Sequence, residues 1–259
     1  MSIKNCGEDL RLESVAINLQ NVTKTFNLNQ KGISGILGDI NNNQQNQFVA
    51  LDNISFTILK GETIGLMGLN GSGKTTLLRI ISSIYSPDSG TVNINGNIAP
   101  LLQIGTGFNP EFNASENIVQ YGMLLGFSKS KIKSEIDNII EFAELKKFKN
   151  LQLKNYSTGM RAKLGFATAL QVNPDILLVD EVLSVGDEAF REKSFQAFLE
   201  FKKNHKTVIL TTHSTKMISD LCDRVILLNE GKIVKIGTPD QVIPLYKIIV
   251  QEHKNSKND

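Results

Sequence analysis

The chain has 259 residues with a net charge of +2, 41% of them hydrophobic and 21% charged, which is ordinary globular composition and enough length for a full core. The near-neutral balance gives no reason to expect nucleic acid or an anionic lipid surface as a partner. The two cysteines, Cys6 and Cys222, stand far apart in no metal-ligand spacing and read as free thiols of a reducing compartment.

Residues 1–14 carry charges at Lys4, Glu8, Asp9 and Arg11 and lack the apolar stretch of a secretory signal. No later run approaches the roughly 20 apolar residues that span a bilayer. The protein is therefore expected in the cytosol, reaching a membrane only by docking onto another subunit. The stretch 27–47 holds Gly32, Gly35 and Gly38 and then a run of Asn and Gln, and reads as a floppy insertion. Leu51, Ile54, Phe56 and Ile58 suggest an edge or antiparallel strand ending at Lys60-Gly61. Thr63–Met67 is a mostly apolar run, as expected of a buried parallel strand.

Gly68-Leu69-Asn70-Gly71-Ser72-Gly73-Lys74-Thr75 comes at once after it and fits G-x-x-x-x-G-K-[ST] at every fixed position. Glycines let the backbone curl so that successive N–H groups point at phosphate oxygens. Lys74 reaches the β- and γ-phosphates, and the Thr75 hydroxyl can join a Mg²⁺ shell, which favours hard oxygen ligands. The helix expected over Lys74–Ser82, which includes Thr76, aims its positive end at the phosphates.

Farther along, Thr91–Ile98 alternates around Gly96 and reads as a hairpin. Within 113–150, Ile132, Ile136, Ile139, Ile140 and Ala143 recur at helical spacing, which predicts an amphipathic helix in a helical subdomain. Tyr156-Ser157-Thr158-Gly159-Met160 opens a helical run over Arg161–Leu170. Ile176–Val179 is apolar and ends in Asp180-Glu181, which puts carboxylates at the edge of the sheet where doubly wound folds bind ligands. Asp180 is suited to support Mg²⁺, and Glu181 to activate or orient the attacking water. Val208–Leu210 and Val225–Leu228 read as further buried strands, with His213 just after the strand Thr207–Thr211. Residues 251–259 are polar and read as a frayed tail. There is no internal repeat, and strands alternate with helices, so the fold class is α/β.

These motifs, in this order, resemble those of the ABC transporter ATP-binding family. Tyr156–Met160 resembles its signature, Ser184–Asp187 its D-loop, His213 its switch histidine and Gln103 its Q-loop glutamine. The resemblance implies a P-loop NTPase cassette over 15–250, with a RecA-like mixed sheet core, an antiparallel β subdomain and an inserted helical subdomain over 108–172. It implies ATP and Mg²⁺ as cofactors, with Lys74, Glu181 and His213 as the hydrolytic groups and Thr75, Gln103 and Asp180 around the metal. It implies a homodimer packed head to tail, in which Ser157, Gly159 and Met160 contact the partner's nucleotide and Asp187 signals across the interface. Phe26 sits where the family has its adenine platform, with Phe48 as the runner-up.

Further details are similar to the polysaccharide-exporter branch, which serves O-antigen, capsule and teichoic acid. They are the Tyr-Ser-Thr-Gly-Met signature, Phe48–Phe56, Ile104–Glu111, Val182–Phe190 and the placement of the insertion. The resemblance implies a separate integral-membrane permease, a glycan or glycolipid cargo handled indirectly, no nucleic acid, and a peripheral place on the cytoplasmic face of the plasma membrane. Gln103 departs from the Glu common in this branch. The chain ends soon after Pro244-Leu245-Tyr246, so recognition of a terminal sugar cap by this subunit is not expected. An ABC importer or drug-efflux ATPase is the alternative within the superfamily. A soluble ABC ATPase acting on ribosomes or DNA is disfavoured by the single phosphate loop and the lack of a heptad run.

Overall fold

The computed structural model describes residues 14–27, 47–102, 105–180 and 186–255. Residues 1–13, the interior of the insertion at 28–46, residues 103–104 with Gln103, residues 181–185 with Glu181, and residues 256–259 lie outside the described residues.

Six strands form the main sheet: Thr63–Met67 (β3), Ile98–Pro100 (β5), Ile176–Asp180 (β6), Thr207–Thr211 (β7), Arg224–Asn229 (β8) and Lys232–Gly237 (β9). Their order is β5-β6-β7-β3-β8-β9, parallel except for the final antiparallel pair. The central strands β3 and β7 are buried at every position, which is why they read as largely apolar runs.

The period of two along these strands builds two cores. Leu177, Val179, Val208, Leu210, Val225 and Leu227 face one way, against Phe166, Phe190, Phe198 and Ile218. Ile176, Leu178, Ile209, Ile226 and Leu228 face the other. That second core is closed by the helix Lys74–Ile81 (α1) and by a separate antiparallel sheet of Val15–Asn27 (β1), Gln47–Leu59 (β2) and Ser89–Ile94 (β4), in the order β2-β1-β4. Each fully buried aliphatic side chain contributes about 1.5–3 kcal/mol relative to exposure.

Three expectations change. Thr91–Ile98 is not a hairpin: β4 pairs antiparallel with β1, whereas β5 pairs parallel with β6, so the chain passes from one sheet to the other around Gly96. Two short runs joined by a glycine carry no local mark of which sheet each will enter. The insertion bounds tighten, because Asn27 and Gln47 are cross-strand partners at the ends of β1 and β2. The polar tail begins later than 251, because the C-terminal helix Pro239–Asn255 (α7) runs through Gln251–Asn255. Polar, exposed residues with good helix propensity simply prolong it.

The helical subdomain comprises Ala114–Leu124 (α2), Lys129–Phe142 (α3) and Thr158–Gln171 (α4), around a core of Ile118, Ile132, Ile139, Ile140, Tyr156 and Leu164. Asn113 and Glu116 form a reciprocal capping box that starts α2. Glu188–Lys203 (α5) and Thr215–Leu221 (α6) pack on the main sheet. Cys222 is a buried free thiol whose pKa burial pushes up to about 12, so it behaves as a small apolar side chain.

Candidate nucleotide site

Because β3, β6 and β7 are parallel neighbours, their carboxyl ends lie along one sheet edge. β3 runs into the glycine-rich loop at Gly68, β6 ends on Asp180, and β7 ends at Thr211, two residues before His213. A cavity of about 310 Å³ opens there, lined by Asn70, Gly71, Gly73, Lys74, Thr75 and Thr76, and across it by Asp180, His213, Phe48 and Ala50. Side chains more than a hundred residues apart in sequence thus meet around one opening.

The loop is shaped for close approach. Gly73 adopts φ +103°, and a Cβ there would lie 2.6 Å from the Ala50 carbonyl oxygen, so a larger residue is excluded on both grounds. A Cβ on Gly71 would meet nothing within 4 Å, which marks the open side. Gly73 is also the N-cap of α1 and supplies no side-chain cap. The first turn of the helix therefore presents its N–H groups and positive dipole end toward the cavity.

Lys74 Nζ donates to the carbonyl oxygens of Gly68 at 2.8 Å and Leu69 at 2.9 Å, which folds the ammonium back over the loop. Gly68 and Ser72 are buried on its underside. The Ser72 carbonyl accepts from Gly231 N–H at 3.1 Å, and the Gly231 carbonyl accepts from Asp52 N–H at 2.8 Å. The β8–β9 turn therefore braces the loop against β2.

Asp180 is half-buried and accepts a hydrogen bond from the buried Thr211 hydroxyl, its register partner across the β6–β7 ladder. Sequence reasoning missed Thr211, since its role exists only once the two strands are known to be neighbours. Thr75 hydroxyl and Asp180 carboxylate are hard oxygen donors on one cavity. No group of three or more His, Cys, Asp or Glu side chains gathers into a metal site among the described residues. One carboxylate and one hydroxyl suit a Mg²⁺ ion that completes its shell with waters and phosphate oxygens.

Of the two aromatic candidates for an adenine platform, Phe48 lines the cavity and Phe26 does not. Phe26 meets Tyr85 edge-to-face at 5.6 Å, with the Lys24 ammonium 5.7 Å from its ring, and it does not line the cavity. Its cross-strand partner Phe48 does, and is 47% exposed. Phe48→Ala is therefore expected to weaken ATP binding roughly tenfold, about 1.4 kcal/mol of base stacking, and Phe26→Ala to leave it nearly unchanged. Titration of a fluorescent ATP analogue against both variants checks this; the opposite ranking would restore Phe26.

The remaining site residues lie elsewhere. Ser157, Thr158 and Gly159 are exposed, and Met160 is half-buried, at the N-terminus of α4. Ser157 Oγ accepts from Met160 N–H at 3.2 Å. Tyr156 anchors the segment from below, its hydroxyl donating to the Phe148 carbonyl at 2.8 Å. Asp187 caps α5 by accepting from Phe190 N–H at 2.9 Å, and pairs with Lys163 at 2.7 Å. None of these residues lines the cavity that Lys74 and Asp180 share.

Residues 51–184 match the family profile of the ABC transporter. The chain is 43% identical over 198 residues to the O-antigen export system ATP-binding protein RfbB of Myxococcus xanthus, covering 76% of this chain but 45% of that protein. It is 39% identical over 250 residues to the teichoic acids export ATP-binding protein TagH of Staphylococcus haemolyticus, covering 95% and 94% of the two chains. It is 38% identical to an O-antigen export ATP-binding protein of Klebsiella pneumoniae, covering 89% and 97%. Among solved structures, a dimeric ATP-binding cassette bound to ADP and phosphate superposes with a TM-score of 0.67 at 25% identity, covering 86% of this chain and 98% of that one.

Proposed function

This chain belongs to the ABC transporter family, and from that membership we propose that it is the ATP-hydrolysing subunit of a polysaccharide or lipid-linked glycan exporter. The observation that carries the ATPase half of this reading is the single cavity that gathers Lys74, Thr75, Asp180 and His213 at one sheet edge. The export half rests on relatives named for O-antigen and teichoic acid export, two of which match nearly end to end.

In this reading the loop N–H groups, the α1 N-terminus and Lys74 hold the phosphates of ATP. Thr75 and Asp180, with Thr211 fixing the Asp180 carboxylate, would hold Mg²⁺, which would supply charge neutralisation at the phosphates. Glu181, the next residue in the chain, orients the attacking water, and His213 contacts the γ-phosphate from the β7 end. Gln103 would join Thr75 and Asp180 in holding the ion. The exposed Ser157 and Gly159, with the half-buried Met160 beside them, serve the nucleotide of a second copy. Two copies then sandwich two ATP molecules, and hydrolysis lets them part.

No helix among the described residues is long and apolar enough to cross a membrane. Because the relatives are named as the ATP-binding proteins of export systems, the translocation path is assigned to a separate permease and this chain to the cytoplasmic face. A cavity of about 520 Å³ where the helical subdomain meets the sheet, bordered by Ile84, Leu102, Thr106, Tyr121 and Leu124, is the proposed permease seat. Ile84 and Leu124 are 55% and 65% exposed there, an apolar edge suited to a partner.

The test is cellular. Cells that make only the Lys74→Ala form are expected to lose a surface glycan and to accumulate its lipid-linked precursor inside. An unchanged surface glycan, with transport of some other solute lost instead, would refute the export assignment while leaving the ATPase reading standing.

A further inference from the structure

Lys163 lies on α4, six residues after Ser157, and is only 13% exposed. Its ammonium reaches three partners. It donates to Asp187 Oδ2 at 2.7 Å and to Glu144 Oε2 at 3.0 Å, and it stands 4.8 Å from the centre of the Phe190 ring. Asp187 and Phe190 belong to the start of α5; Glu144 lies in the turn just past the α3 C-cap, Ala143. One cation therefore ties the helix that carries the signature to the segment beyond the acidic strand end.

The surroundings are fitted to this contact. Gly186 adopts φ +81°, and a Cβ there would come within 3.1 Å of both Lys163 Cε and the Phe190 ring. A Cβ at 186 would make Lys163 and the Phe190 ring give by a few tenths of an ångström, and the positive φ disfavours any side chain there. A second lysine, Lys193 of α5, lies 3.8 Å from the other Glu144 oxygen and donates to the Phe142 carbonyl at 2.8 Å. The subdomain and the sheet domain are thus laced together by alternating charges at this one seam. Burial alone would lower the lysine pKa, but the Asp187 and Glu144 bonds raise it overall, and the Lys163 bond lowers that of Asp187. Both partners stay charged across the neutral range.

We propose that Lys163 is a positioning residue that makes the two nucleotide half-sites of one subunit move together. The half-site offered to the partner's ATP, at Ser157 and Gly159, and the Asp187 segment behind its own acidic strand end are linked through this ammonium. Events at a subunit's own nucleotide are thereby conveyed to the signature it lends its partner, which gives cooperative hydrolysis. The inference rests on the head-to-tail sandwich proposed above.

The test uses the full chain. Lys163→Met keeps the apolar stem over Gly186 and removes the charge. Nucleotide affinity of the monomer, read by titration with a fluorescent ATP analogue, is expected to change by less than about twofold. Turnover at saturating ATP is expected to fall on the order of tenfold, with the Hill coefficient for ATP dropping toward 1. Lys163→Arg should restore both. Asp187→Asn keeps the α5 cap but removes the ion pair, so adding Lys163→Met to it should cost little more. Unaltered turnover and cooperativity in Lys163→Met would overturn the proposal. So would a Lys163→Met effect equally large in the Asp187→Asn background, or a loss of turnover that merely tracks a lower melting temperature. Failure of a Glu181→Gln chain, with Lys163 in place, to dimerise on ATP would instead count against the sandwich.

Discussion

Lys74→Ala is expected to lower ATP turnover by at least about a hundredfold, the usual loss when a preorganised cationic donor is removed from a transferring phosphoryl group. Among the described residues, Lys74 is the only lysine or arginine on the cavity lining, so no other ammonium or guanidinium there replaces it. The fold should survive. Lys74 is half-buried and donates to two loop carbonyls, which water can satisfy in its absence. A steady-state phosphate-release assay, with a thermal melt to confirm folding, decides the matter. Native-like turnover in a folded Lys74→Ala chain would remove the phosphate loop from the mechanism.

Ser157→Arg should abolish hydrolysis by a different route. Ser157 is exposed at the α4 N-terminus and absent from the cavity of its own subunit. Loss of its bond to Met160 N–H removes a helix cap worth about 1 kcal/mol, too little to unfold the subdomain. The bulky side chain would nevertheless keep a partner's phosphates from that helix end. Turnover is expected to fall by roughly a hundredfold or more, with ATP affinity of the monomer unchanged.

Mixing the two variants then gives a sharp readout. In a Lys74→Ala and Ser157→Arg pair, both lesions fall on one site and the other site is intact. An equimolar mixture should recover up to roughly a quarter of native turnover, since half of random dimers are mixed and each has one working site of two. No recovery above the separate variants would argue against head-to-tail pairing, and loss of ATP binding by the Ser157→Arg monomer would argue against its placement on the far face.

Much of this site was legible before any fold was known. Gly68–Thr75 announces itself because phosphate binding needs a fixed spacing along one short piece of backbone. Asp180 at the end of β6 and His213 just beyond β7 were legible for a related reason: a parallel strand buried on both faces writes itself as an apolar run, and the residues just past the run sit at the sheet edge. Contacts that depend on register or on sheet membership were not legible. Thr211 meets Asp180 only because β6 and β7 are neighbours, and Phe48 lines the cavity while Phe26 packs edge-to-face on Tyr85. The split of 91–98 between two sheets, and strands β1 and β9 themselves, lay hidden in mixed polar and apolar segments whose partners are distant. Lys163 was silent in the same way, as one lysine among many until Gly186, Asp187 and Glu144 converge on it.

The turn at Gly231 carries a last consequence. Its N–H and carbonyl clamp the phosphate loop to β2, so segments near residues 50, 70 and 230 hold one another in shape. Loosening the loop therefore also disturbs its bonds to the small antiparallel sheet and to the end of the main sheet. The shape that holds a nucleotide thus draws on three distant segments together, and a loop braced in this way limits the ordering that binding must supply.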